Sequence, residues 1–66
     1  MILDERVRLH IEQLKSANDE ERASAAGQLR DLGPAAQPAV PALIEALNDA
    51  DEGVREWVAY ALAAVG

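Results

Sequence analysis

Apolar positions along the chain recur at helical spacing, interrupted by short polar or proline-containing segments. Leu3, Val7, Ile11 and Leu14 follow one another at steps of four, four and three, which places them on one face of a helix. Ser16-Ala17-Asn18 breaks that pattern. Asn18 is a good N-cap, and Glu21 stands where it completes a capping box. A second helix is predicted to run from there to about Leu32. Gly33 provides a left-handed stop, and Pro34 prevents continuation. Pro34, Pro38 and Pro41 then predict a short turn over 34–38 followed by a helix to about Leu47. Pro41 falls in the first turn of that helix or kinks it. Val40, Leu43, Ile44 and Leu47 form its expected buried stripe. Asn48-Asp49-Ala50-Asp51 reads as a turn with Asp51 as N-cap, and a fourth helix is predicted over 52–65.

The halves of the chain repeat one another. A shift of 33 residues places Val7 on Val40, Ile11 on Ile44, Leu14 on Leu47, Arg22 on Arg55, Ala26 on Ala59, Leu29 on Leu62 and Gly33 on Gly66. Alanine-rich composition alone accounts for the alanine matches but not for the Leu, Arg and Gly matches together. The expected organisation is one domain, 1–66, of two units, 1–33 and 34–66, each a pair of antiparallel helices. The predicted core is a continuous layer of Val7, Ile11, Leu14, Leu29, Leu32, Val40, Leu43, Ile44, Leu47, Val54, Val58, Leu62 and Val65.

The fourth helix departs from simple amphipathicity. Advancing about 100° per residue, Val54, Val58, Ala61, Leu62 and Val65 share the core-facing stripe. Trp57, Tyr60 and Ala64 form a second stripe beside it, and Ala59 and Ala63 lie on the far side. Only Arg55 and Glu56 carry charge between Val54 and Gly66. A helix apolar nearly all round expects to be covered. At the same angles on the second helix stand Ser24, Gly27 and Asp31. The candidate interaction surface is therefore Ser24, Gly27, Asp31, Glu56, Trp57, Tyr60 and Ala64, since Trp and Tyr dominate interface energies. The competing reading is that Trp57 merely packs on the neighbouring helix of its own chain.

Pro38-Ala39-Val40-Pro41-Ala42-Leu43-Ile44-Glu45-Ala46-Leu47 resembles the first helix of a HEAT-like repeat. Leu47 to Arg55 resembles its turn and the opening of its second helix, and Ala59 to Gly66 resembles its end. The likeness is to the short repeat of phycobilisome lyases, also used in artificial repeat scaffolds. It covers the whole chain and is stronger over 34–66 than over 1–33. It implies an all-α fold, two stacked helical hairpins forming a short right-handed solenoid. In that family the turn Asp and the Arg opening the second helix often pair between neighbouring units. Here this would put Arg22 and Arg55 near Asp49, the one Asp at that register, because Ser16 occupies the matching position. Glu21 stands where Val54 stands and Gln28 where Ala61 stands, which suggests that the first unit acts as an N-terminal cap.

Composition narrows the chemistry. The chain has no cysteine, so neither a disulfide nor a thiolate ligand is available. Its formal net charge of −6 argues against nucleic acid and anionic membrane surfaces as partners. No apolar run approaches the roughly 20 residues that span a bilayer. Met1-Ile2-Leu3 leads at once into Asp4-Glu5-Arg6, unlike a signal peptide, so a cytoplasmic location is expected. His10 is the lone histidine, too little for a metal site, which needs several ligands. The iron-binding His-Glu pairs and the basic concave faces of HEAT-like enzymes have no counterpart here. Carboxylates at Glu20, Glu21, Asp49, Asp51 and Glu52 sit where helix starts favour negative charge.

These readings converge on a non-catalytic protein–protein interaction or self-assembly module with no cofactor. The expected partner is protein, most simply a second copy forming a homo-dimer through helix 52–65. The alternatives are an accessory domain for bilin handling, by analogy with the lyases, and an excised or designed repeat scaffold.

Overall fold

The structure is a computed structural model that describes residues 4–66. Leu3, the first member of the predicted apolar stripe, lies outside the described residues. Four α-helices follow in order: α1 (Glu5–Gln13), α2 (Asp19–Leu32), α3 (Val40–Ala46) and α4 (Glu52–Val65), with a 3-10 segment, Gly33–Ala39, joining α2 to α3. The fold is all-α, two helical hairpins stacked so that α2 and α4 make the most extensive contact between helices.

The starts of α1, α2 and α4 are each set by a side chain that accepts hydrogen bonds from backbone N–H groups left free by the helix geometry. Asp4 accepts from the N–H of Arg6, and Asn18 accepts from those of Glu20 and Glu21. Asp51 accepts from Val54. Gly33 closes α2 with φ of 59°, a value L side chains rarely adopt. The link after it is a longer 3-10 stretch than the turn predicted over 34–38. Pro38 has no N–H to donate to an α-helical partner four residues back, so the segment tightens instead of forming an α-helix. Pro41 sits in the first turn of α3, where its missing donor costs nothing.

Val7, Leu14, Leu29, Leu43, Val54, Val58 and Val65 are buried, as the apolar pattern predicts. Ile11, Leu32, Val40 and Leu62 are partly buried against them. Two members of the predicted layer are not inside: Ile44 is 55% exposed and Leu47 39% exposed. Leu43 is the residue α3 buries, and Ile44 and Leu47 lie on the side of the hairpin that no further element among the described residues covers. The interior also holds Ala25, Ala26, Ala36 and Ala39, whose small side chains let neighbouring helices approach closely. Among the described residues no polar or charged residue is buried.

Candidate functional site

A built electrostatic contact joins the two hairpins at their turns. Arg22, one turn into α2, donates from Nε to Oδ2 of Asp49 at 2.7 Å and from Nη2 to Oδ1 at 3.0 Å. Its Nη1 donates to the carbonyl of Ser16 at 2.8 Å. One guanidinium therefore ties its own turn to the next in a two-pronged, mostly shielded pair, the geometry that best matches the planar fork of arginine to a carboxylate. Oδ1 of Asp49 also accepts from the backbone N–H of Asp51 at 2.9 Å, which fixes the turn that positions the α4 cap. The Arg22 hydrogen bonds and then the Asp51 N–H hold the Asp49 carboxyl below its ordinary value, against the opposing effect of burial. The same hydrogen bonds raise Arg22 above the usual guanidinium value.

Arg55 occupies the matching place on α4. Its Nη1 donates to the carbonyl of Asp49 at 2.7 Å, the counterpart of the bond from Arg22 to Ser16. It also reaches the carbonyl of Ala50. It makes no ion pair among the described residues.

The aromatic stripe of α4 lies beside α2. A methyl group built on Gly27 would stand 3.6 Å from Cε3 of Trp57, so the indole packs across the chain onto the helix that bears Ser24 and Gly27. Trp57 nevertheless stays 38% exposed, and Tyr60 is 57% exposed. The two rings meet edge to face, with centroids 6.1 Å apart. Above the indole sits the guanidinium of Arg30, 4.9 Å from the ring centroid, a cation–π contact.

Of the predicted surface residues, the fold gathers Ser24, Gly27, Asp31 and Trp57 around one shallow groove, together with Ala23, Gln28 and Arg30. Glu56, Tyr60 and Ala64 are exposed on α4 outside that groove. Arg30 is not singled out by the sequence pattern. Its one signal is its position three residues after Gly27, which on a helix puts it over whatever ring Gly27 admits. His10 is half-buried, with Nδ1 2.8 Å from Oε1 of Gln13. Among the described residues no group of His, Asp and Glu side chains is placed to hold a metal ion. None of their helices is long and apolar enough to cross a membrane.

Residues 7–66 match the family described as HEAT repeats. No curated protein and no solved structure matches the chain.

Proposed function

The chain belongs to the HEAT-repeat family, whose members generally mediate protein–protein interaction, and on that premise we propose that it is a non-catalytic interaction and self-assembly module working through α4. In this reading it is one domain of two units, 1–33 and 34–66, acting in the cytoplasm without a cofactor. Its partner is protein rather than nucleic acid or membrane.

One observation carries the proposal. Among the described residues the large exposed apolar side chains are Leu9, Ile44, Leu47, Trp57 and Tyr60, and all but Leu9 belong to the second hairpin. Apolar exposure concentrated on one part of a small surface is what an interaction site requires. When the chain is alone, a two-fold dimer through α4 covers Trp57 and Tyr60 most simply, because each patch then meets its own symmetry mate. Ala59, Ala63 and Ala64 allow the helices to approach closely. The net charge of −6 opposes the association, so added salt should tighten it.

Light scattering across a range of concentrations tests this. The parent is expected to show dimer mass at micromolar concentration. Tyr60→Glu, at a position exposed enough for the fold to tolerate it, should run as a folded monomer. A parent that remains a folded monomer at high concentration refutes self-association through α4.

A further inference from the structure

We infer that the exposed ring of Tyr60, with Glu56 beside it, is a recognition site for an arginine side chain carried on a basic segment of a partner protein. The inference rests on the reading of α4 as an interaction surface and names the chemistry of the partner that this surface takes in place of a second copy.

The chain already holds one guanidinium in this way. Arg30 lies over Trp57, with Cζ 4.9 Å from the ring centroid. Its Nε and Nη2 both donate to Oδ1 of Asp31, at 3.3 and 3.2 Å. A ring face and a carboxylate together suit a guanidinium, because the π cloud attracts the flat cation while its N–H edge bonds the acid. Arg30 thereby engages Trp57 and Asp31 within the chain.

Tyr60 and Glu56 present the same two groups without the cation. They stand one turn apart on α4 and share a face of that helix. Both are exposed, and Tyr60 is the more open of the two rings, 57% exposed against 38% for Trp57. Trp57 meets it edge to face, which supports one side of the ring and leaves most of it to solvent. No ion pair among the described residues engages Glu56. A shift of 33 residues carries Arg30 to Ala63, so the second unit supplies no such guanidinium.

The surroundings favour a basic segment over a second copy of this chain. On α2, Glu20, Ser24, Gly27 and Asp31 follow at steps of four, three and four and share one face. Glu20, like Glu56, has no cation among the described residues. A pair of copies meeting at α4 brings both Glu56 carboxylates to one interface under a net charge of −6 on each chain. A basic segment neutralises the same groups, and such complementarity sets partner choice. Glu20 and Asp31 are 11 residues apart, about 16 Å along a helix. An extended segment of about five residues covers that length. The shallow groove beside Trp57, floored by Gly27 and Ala23, gives it a bed with little side chain in the way.

Titration of submicromolar protein at low salt with the peptide acetyl-Arg-Gly-Arg-Gly-Arg-amide tests this, read by the fluorescence of Trp57, the lone tryptophan. A saturable change is expected. Kd should rise severalfold when lysine replaces arginine in the peptide, and again when salt is added. That salt effect is opposite in sign to the one expected of self-association. Tyr60→Leu keeps an apolar side chain but removes the ring, and should weaken binding about tenfold, whereas Tyr60→Phe should preserve it. Glu56→Gln should weaken it severalfold. Glu12→Gln removes an exposed carboxylate from α1 and should hardly change it. All three positions are exposed, and circular dichroism checks that each variant keeps the parent's helix. The inference is overturned by the absence of a saturable response or by equal binding of the lysine peptide. It is equally overturned if Tyr60→Leu binds like the parent, or if Glu12→Gln is as damaging as Glu56→Gln. A parent that is monomeric at every concentration overturns self-association but leaves the titration intact, so the two readings fail separately.

Discussion

Leu14 and Leu47 hold the same place in two similar hairpins, yet one is 6% exposed and the other 39%. Arg22 and Arg55 differ in the same way: one guanidinium is locked to a neighbouring carboxylate and the other is half engaged. The residues are identical within each pair, so the difference comes from the neighbour each hairpin has in space. The first hairpin is covered on its outer face by the second, and the second is covered by nothing among the described residues. A repeat unit of this kind is incomplete alone, because part of its apolar surface is suited to a neighbouring unit.

The largest contrast should appear between truncations at covered and uncovered positions. Leu29→Ala removes a fully buried side chain, and such truncations cost about 2–5 kcal/mol. A domain this small holds no more than roughly 5 kcal/mol in total, so most of the population should be unfolded near room temperature by circular dichroism. Leu43→Ala should behave alike. If either variant melts like the parent, the covered side of the comparison is misassigned.

Asp49→Asn should have the next largest effect, since it removes the charge that joins the hairpins and leaves Arg22 facing a neutral amide. A chemical-denaturation midpoint well below the parent's is expected, whereas Arg55→Gln should shift it little. The same pair makes a pH prediction. The Asp49 carboxyl is held below its ordinary value in the fold, first by Arg22. Its contribution to stability is therefore fully present above the unfolded-state value, about 4, and is lost as pH falls through the lower folded-state value. The parent should lose stability in that acid range more steeply than Asp49→Asn. Equal acid slopes would remove the ion pair from the account of stacking.

Gly27→Ala tests the α2 side of the aromatic contact. The added methyl meets Trp57 at 3.6 Å, an ordinary contact distance, and alanine in a helix interior is favoured over glycine by about 0.5–1 kcal/mol. A modest rise in melting temperature is expected. A fall would mean that the indole sits closer to α2 than this geometry allows.

The smallest effect belongs to Leu47→Ala. At low protein concentration, where association is absent, it should stay within about 0.5 kcal/mol of the parent. The sequence pattern alone assigns Leu47 to the core and predicts severe loss. The outcome therefore separates apolar periodicity from actual coverage.

The helices were legible in the sequence because their signals are local. Asn18 and Asp51 cap the helices that begin after them, Gly33 stops α2, and Pro34 and Pro38 forbid α-helix where the 3-10 segment runs. Each works through the backbone within a few residues, so spacing and residue type suffice to read it. The internal repeat and the likeness to HEAT-type units were legible for the same reason, and so was the aromatic stripe of α4 as a pattern.

Only the tertiary structure decided which apolar positions are covered. Periodicity marks a face of a helix but does not say whether another element lies against it, which is why Ile44 and Leu47 read as core and stand exposed. Ala25, Ala26, Ala36 and Ala39 are buried although alanine gives little hydropathy signal, because their burial depends on how closely the helices pack. Arg30 over Trp57 is likewise a meeting of α2 with α4. The spacing from Gly27 puts Arg30 on the same face of α2, but only the fold brings a ring of α4 beneath it.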